Sequence, residues 1–535
     1  MRPELGGLPF LVGDIVTDNA RWAPDSPALI FKGRVRNWAE FARDCDLIAQ
    51  GLAALGVVRG SRVAVLDRNS DDFVLLGYAL ARMGAVLIPV NMHLRPAELS
   101  YILGNAQALL LLTSPEFLPA AHQALAPIPD PPRILLRGGT APDTLPWAQV
   151  AEGGPPGSPP ATSAPESADD PHLVLYTSGT TGRPKGAIIS HRRTVLDALA
   201  VLPVFGIRPH ERFFCYMPLF HTGAWDYLKL YFMQRGAAVI AERFEAETAV
   251  QQIETHRCNG MFGVPLVLRQ MVESQAWQTA DMSSMRLIAY ANYDPSALIV
   301  RIVDAFRARG AVELGIANAY GLTEGGPYIC INRPDRALEK PLSIGHPVPG
   351  AQVALLDERM QPVPPGELGE ICVRGPALMS GYLNRPEATA EAFAGGWLHT
   401  GDLGRVDADG FVHLVDRKKD MIRSGGENIF AKEVEQVLVT HPAVRDCAVV
   451  GLPDDDYGER VVAVVVREPD APAVSADDLS SFVRARLAGF KTPRQVVFVA
   501  ELPKTPAGKI KKHEIRKAIA AEAPQGAREQ VGHKT

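Results

Sequence analysis

The sequence has no Lys- or Arg-rich block, and its 55 basic and 60 acidic side chains leave a formal net charge of -5. Neither nucleic acid nor an anionic membrane is therefore an expected partner. Cysteine is sparse: Cys45, Cys215, Cys258, Cys330, Cys372 and Cys447 are scattered, with no CxxC pair and no Cys/His spacing suited to zinc. That argues against a disulfide framework or a zinc ribbon and favours reduced, buried thiols in a cytoplasm. No apolar run approaches the ~20 residues of a spanning helix. The opening MRPELGGLPFLVGDIVTDNA lacks a basic start followed by an apolar stretch, so neither a membrane span nor export is expected. There is no internal repeat.

What is present is an ordinary globular composition, 47% apolar and 21% charged over 535 residues, enough for about three to five packed units. From Arg62 to Leu112 apolar runs Val63 to Leu66, Val86 to Val90 and Ala108 to Leu112 alternate with a helical stretch Asp71 to Met83 and a helix after Pro96. That βαβαβ pattern predicts an α/β fold with a parallel, doubly wound sheet. No glycine-rich dinucleotide fingerprint opens those helices. The stretch 152–171, EGGPPGSPPATSAPESADDP, is rich in Pro, Gly and Ser and predicts an exposed connector too poor in apolar surface to become ordered. A second shift falls near Asp416. Beyond it Val434, Val437 and Leu438 mark one helix face, Arg460 to Val466 a strand, and Leu479, Phe482, Val483 and Leu487 a second helix, with Ser475 and Asp478 as its capping box. The expected division is a large domain 1–416 with a seam at 152–171, a small α+β lobe 417–521, and a polar tail 522–535.

The strongest chemical signal is Tyr176-Thr-Ser-Gly-Thr-Thr-Gly-Arg-Pro-Lys-Gly186, set between apolar Leu173 to Leu175 and Ala187 to Ile189. A strand-loop-strand is implied. Thr177, Ser178, Thr180 and Thr181 bring hydroxyl donors, Gly179 and Gly182 admit backbone NH groups, and Lys185 adds charge, a set that suits a polyphosphate. The spacing is not the Gly-x4-Gly-Lys-Ser/Thr loop that opens a helix. A short fragment of this string is compatible with a plain surface loop.

The full string resembles the signature loop of the adenylate-forming (ANL) superfamily, which includes acyl-CoA synthetases, peptide-synthetase adenylation domains and firefly luciferase. Four further segments match in order between about residues 20 and 512, and the chain is identified with the acyl-CoA synthetase, or AMP-dependent synthetase and ligase, branch. The resemblance implies that Asn318-Ala319-Tyr320-Gly321-Leu-Thr323-Glu324 holds adenine and metal: Tyr320 flanks the base, Thr323 touches the α-phosphate and Glu324 binds Mg²⁺. Taken alone, Tyr320 reads rather as core and Glu324 as a solvated acid at a helix start. By the same resemblance Asp402, in Trp397-Leu-His-Thr-Gly-Asp402, and Arg417 hold the ribose, and Lys419 sits at the hinge. The resemblance implies that Lys509, in Pro503-Lys-Thr-Pro-Ala-Gly-Lys509, is the lysine of the first half-reaction, acting with Glu324 and Thr181; taken alone it reads as a surface lysine. The resemblance also implies that Ser424, Gly425, Gly426 and Glu427 lie beside the thiol channel and that Tyr457 and Phe490 stack on the CoA adenine, although both read equally as packing residues.

The implied function is carboxylic acid activation by ATP to an acyl-adenylate, then transfer to coenzyme A; ATP, Mg²⁺ and CoA are the expected cofactors. The expected partners are a small-molecule carboxylic acid and CoA, with a homodimer left open. No segment like a phosphopantetheine-bearing carrier domain follows Lys509. Delivery to a carrier protein or an amine is the alternative enzyme reading, and an inactive nucleotide-binding regulator the alternative from another class. Phe220-His221-Thr-Gly-Ala-Trp225-Asp226 resembles the segment lining the acyl and pantetheine paths. His221 is read as a gate or a core histidine, Trp225 as pocket wall or core. Tyr290-Ala-Asn292-Tyr293-Asp294-Pro295 stands where relatives carry a Gly/Ala-rich strand. That departure predicts a narrower, more polar pocket, suited to a short, ring-bearing or functionalised acid.

Overall fold

In the computed structural model, which describes residues 10–158, 160–177, 183–291, 298–425, 427–454, 456–469, 471–504 and 510–522, the early alternation becomes a regular winding. Strand Arg62–Leu66, helix Asp71–Met83, strand Val86–Pro89, helix Pro96–Ala106 and strand Leu110–Thr113 follow one another. The first helix starts where the Ser70 side chain accepts from Phe73 N and stops at Gly84, whose φ of 70° lies in the left-handed region that glycine tolerates. Strands Val86–Pro89 and Leu110–Thr113 then pair in parallel on opposite sides of Arg62–Leu66.

These strands sit in an eight-stranded sheet, mostly parallel, that ends on one side with the antiparallel neighbours Pro171–Thr177, Lys185–Ser190 and, at the edge, Gly381–Tyr382. A nine-stranded sheet lies beside it in the same unit. Its central strands Pro27–Phe31, Ala237–Ile240, Arg212–Cys215, Gly260–Phe262, Leu287–Tyr290 and Gly315–Leu322 are parallel neighbours in that order. Strand residues such as Val63, Val65, Leu29 and Phe213 share one core with Phe73, Leu76 and Leu80 of helix Asp71–Met83. That shared burial is why the helix is apolar nearly all round.

The Pro/Gly/Ser-rich stretch departs from its sequence reading. Ser163 Oγ donates to Met83 O at 2.8 Å, Arg59 grips Asp170 through Nε and Nη2 at 2.9 Å each, and Ala168 is fully buried. Polar ties to backbone and ion pairs order a segment whose apolar content alone is too small to do so.

By packing, the chain falls into two compact units, one drawn from 1–292, 300–354 and 372–400 and the other from 293–299, 355–371 and 401–535. The second contains the hairpin from Gly401 to Arg417 and a five-stranded sheet built on strands Val444–Asp454 and Gly458–Arg467. Side chains alternate across that sheet: Cys447, Val449, Val461, Ala463 and Val465 face helices Ala431–Leu438 and Ala476–Arg484, while Ala448, Val450, Val462 and Val464 face helix Lys512–Glu522. The Ser475–Asp478 capping box forms, but the helix ends at Arg484, so Leu487 packs from beyond its end. Among the described residues no helix is long and apolar enough to cross a membrane, and all six cysteines are buried thiols outside any disulfide. Burial pushes the Cys215 and Cys258 thiols up to about 12, which keeps them protonated.

Candidate active site

The strand-loop-strand at residues 176–186 is formed by Pro171–Thr177 and Lys185–Ser190, paired so that Thr177 stands opposite Lys185. Ser178, Gly179, Thr180, Thr181 and Gly182 lie outside the described residues. Across the first unit, strand Gly315–Leu322 turns back into Gly326–Asn332, and Glu324 sits in that turn, with Leu322 opposite Gly326. It is therefore not an acid at a helix start. A Cβ on Gly321 would stand 2.3 Å from Pro327 C and 2.4 Å from Gly326 O, so the close return of the chain requires glycine there.

Glu324 is held by two hydroxyls on one oxygen. Thr177 Oγ1 donates to its Oε1 at 2.9 Å and Tyr382 OH donates to the same atom at 3.0 Å. Lys185 Nζ lies 5.1 Å from the centre of the Tyr382 ring. A carboxylate, two hydroxyls and an ammonium thus converge at the mouth of the loop. Burial and the neighbouring Glu324 carboxylate both raise the Tyr382 phenol, which stays a donor. Tyr382 was absent from the sequence reading: it lies 58 residues beyond Glu324 in no recognised segment, and only the pairing of Gly381–Tyr382 with strand Lys185–Ser190 brings it in.

Asn318, Ala319 and Tyr320 lie within strand Gly315–Leu322 and are buried, and the Asn318 amide donates to Ser343 O at 3.0 Å. Thr323 shares the turn with Glu324. His221 occupies the N-cap of helix Thr222–Met233, its ring 4.5 Å from that of Phe220. Burial and then the charge of His93 push its pKa down to about 4, so the ring is neutral. Trp225 Nε1 donates to Leu219 O at 2.6 Å, and its ring packs against Phe73 and Tyr78. The same ring lines a small interior cavity with Tyr78, His172, Arg193 and Lys229. Asn292, Tyr293 and Asp294 lie outside the described residues.

Near that cavity the sequence reading missed a buried ionic group. Lys229 Nζ lies 2.8 Å from Asp197 and 2.6 Å from Asp226, and all three side chains are buried. Arg193, also buried, brings a second cation beside the two carboxylates, and Glu324 adds to the field it feels.

In the second unit Asp402 and Arg417 stand opposite each other in the hairpin, and Arg417 Nε reaches Asp402 Oδ1 at 3.0 Å. Asp402 is buried while Arg417 is about one-third exposed, so the pair presents a fixed carboxylate behind an accessible cation. Lys419 follows in the 3-10 turn Lys418–Asp420; burial, then Arg417, lowers its pKa. Strands Met421–Ser424 and Glu427–Phe430 form a tight hairpin with Ser424 opposite Glu427. Gly425 enters its turn at φ 61° and donates its NH to Tyr457 O at 2.8 Å; Gly426 lies outside the described residues. Tyr457 is 40% and Phe490 43% exposed. Arg494 lies 3.6 Å over the Tyr457 ring and Lys491 lies 5.7 Å from that of Phe490, two cations the sequence reading did not single out. Lys509 lies outside the described residues.

Comparison with known proteins places this arrangement. The model of the AMP-binding enzyme family matches residues 16–383, and that of the AMP-binding enzyme C-terminal domain matches 433–509. A feruloyl-CoA synthase of Amycolatopsis sp is 37% identical over 502 residues, 93% of this chain and 97% of the relative. An indoleacetate–CoA ligase of Aromatoleum aromaticum is 33% identical over 513 residues, with 93% and 96% covered. Among solved structures, the anthranilate CoA ligase AuaEII in complex with anthranoyl-AMP superposes with a TM-score of 0.87 at 29% identity, covering 97% of this chain and 100% of that one. The amide bond synthetase McbA of Marinactinospora thermotolerans superposes with a TM-score of 0.83 at 30% identity, covering 95% and 99%.

Proposed function

This chain belongs to the AMP-binding enzyme family, and on that premise we propose that it is an AMP-forming carboxylate–CoA ligase. In the first half-reaction a carboxylate oxygen attacks the α-phosphorus of ATP, forming acyl-AMP and releasing pyrophosphate. In the second, the CoA thiol attacks the acyl carbon, forming acyl-CoA and releasing AMP. The observation that carries the reading is the convergence of Thr177, Lys185, Tyr382 and Glu324 at the polyphosphate loop.

The donor set fits a hard cation, since Mg²⁺ takes one or two carboxylates together with substrate phosphates. Glu324 would hold it, oriented by Thr177 and Tyr382. When bound, the ion offsets charge on the phosphoryl oxygens. Lys185 draws the polyphosphate, Asp402 accepts from the ribose hydroxyls beside Arg417, and Lys509 meets the negative charge that builds as two anions approach. The Tyr457, Arg494 and Phe490 face supplies aromatic surface and positive charge suited to the CoA adenine and phosphates.

Two lines support an aromatic or otherwise functionalised acid: the Asn292-Tyr293-Asp294 departure, and relatives named for feruloyl, indoleacetate and anthranilate substrates. The test is labelled ATP with a panel of acids, with and without CoA. The expected products are AMP, pyrophosphate and an aryl-CoA; ADP with orthophosphate, or best turnover with palmitate-length acids, would overturn the respective claim. The likeness to an amide bond synthetase favours one second reading, in which an amine accepts the acyl group. It is supported if product forms faster with an amine than with CoA.

A further inference from the structure

Leu173 and Ile189, from strands Pro171–Thr177 and Lys185–Ser190, line a cavity of about 30 Å³ in the core of the first unit. A water needs about 10–15 Å³ of such space, so the cavity takes one monatomic ion or a pair of waters and no organic ligand. Its polar wall includes Arg193, Thr194, Thr222 and Lys229. Arg193 is 3% exposed, its Nη1 is wholly buried with no hydrogen-bond partner, and among the described residues no carboxylate lies within ion-pair distance of it. A guanidinium stays protonated in a protein, and a buried charge without a partner is strongly destabilising.

The nearby carboxylates are engaged elsewhere. Lys229 Nζ donates to Asp226 Oδ1 and Asp197 Oδ2, and Thr222 Oγ1 donates to Asp226 Oδ2 at 2.6 Å. Asp197 itself does not line the cavity. An ammonium has three N–H groups, so one N–H of Lys229 is left without a protein acceptor among the described residues. His172 Nε2 lies 2.8 Å from Thr194 Oγ1, and burial and then His191 keep that ring neutral. Two helices also begin at this wall: Arg193 and Thr194 stand in the first turn of His191–Phe205, and Thr222 opens Thr222–Met233. The positive ends of both helix dipoles favour an anion between them.

We propose that this cavity is a binding site for one monatomic anion of the halide class, chloride in ordinary buffers, held by the Arg193 guanidinium and the remaining N–H of Lys229. The site lies wholly within the first unit and does not depend on the ligase reading. Arg193 and Lys229 balance Asp197 and Asp226 in charge, so the anion enters most readily when one acid is neutral. Burial raises the Asp197 carboxyl toward that state, and Asp197→Asn reproduces it.

The test compares thermal midpoints of the full chain in sodium chloride and in sodium gluconate at equal ionic strength, gluconate being too large for the cavity. Chloride is expected to raise the midpoint by roughly 2 °C per tenfold rise above its dissociation constant, and gluconate to leave it unchanged. Asp197→Asn should lower that dissociation constant by about tenfold, and Arg193→Gln should abolish the chloride dependence. A crystal grown in bromide should show an anomalous peak in contact with the Arg193 guanidinium. Equal midpoints in the two salts overturn the inference, as does a cavity holding only water in the bromide crystal or an unchanged chloride dependence in Asp197→Asn. A bromide peak without a chloride-specific midpoint shift means an adventitious ion only and overturns it as well. Should Arg193→Gln fail to fold, the Asp197→Asn and bromide measurements decide the matter. Pyrophosphate exchange is not among the readouts, so failure of the ligase reading leaves this inference standing.

Discussion

Glu324 takes both of its hydroxyl donors on Oε1, from Thr177 and Tyr382, which fixes the carboxylate plane before any cation arrives. A hydrogen bond to a charged group contributes about 1.5–3 kcal/mol, so Tyr382→Phe is expected to lower pyrophosphate exchange by about tenfold or more. The loss should shrink as Mg²⁺ is raised, because a less well oriented carboxylate binds the ion more weakly; a loss independent of Mg²⁺ would speak against the orienting role. His221 gives a prediction of the opposite kind. Its pKa of about 4 leaves the ring neutral over the working range, so His221→Gln should change rate without removing a limb from the pH profile. A limb near pH 6.5 in the wild type that disappears in the variant would show that the imidazole titrates during turnover.

At the scale of elements, charge buried between helices and strands sets both stability and its dependence on pH. Lys229 neutralises Asp197 and Asp226 inside the core. Lys229→Met leaves two buried carboxylates facing each other and is expected to destabilise the first unit by about 3–5 kcal/mol, read as a lower urea midpoint. His191, fully buried at the start of helix His191–Phe205, has its pKa pushed down to about 4 by burial. Unfolded, the ring takes a proton below about 6.5, so the unfolded state binds more protons between those values. Stability is therefore full above about pH 6.5 and falls toward pH 4, by up to about 3 kcal/mol from this ring. His191→Leu should flatten that slope; an unchanged slope would place the effect in other groups, His172 among them.

The elements themselves were legible to different degrees. Helix Asp71–Met83 was read with its observed ends because apolar strands bound it on both sides, and the structure caps it at Ser70 and Gly84; the Ser475–Asp478 box marked a helix start through its local capping chemistry. The nine-stranded sheet was not read. Its strands Arg212–Cys215, Ala237–Ile240 and Gly260–Phe262 are three or four residues long and buried on both faces, so no alternation marks them. In the site, Thr177, Lys185 and Glu324 were legible because they fall in recognisable strings. Tyr382, Arg193 and Arg494 were not, since strand pairing or packing between distant segments brings them in.

For the molecule as a whole, the two proposed half-reactions draw on different residues, and variants should separate them. Tyr457 and Phe490 are large aromatic rings left half-exposed on the second unit, with Arg494 stacked on one and Lys491 beside the other. Exposed aromatic faces with adjacent cations suit a purine carrying phosphates, and stacking of a base on such a ring contributes about 1–3 kcal/mol. Tyr457→Ala should then raise the KM for CoA by about tenfold or more, while acid-dependent pyrophosphate exchange, which needs no thiol, stays at the wild-type rate. Lys509→Ala should do the reverse, abolishing exchange while thioester formation from supplied acyl-adenylate is less affected. The comparison is informative because each variant serves as the folding control for the other. If Tyr457→Ala slows exchange as much as it slows thioester formation, the ring is packing the second unit and CoA binds elsewhere.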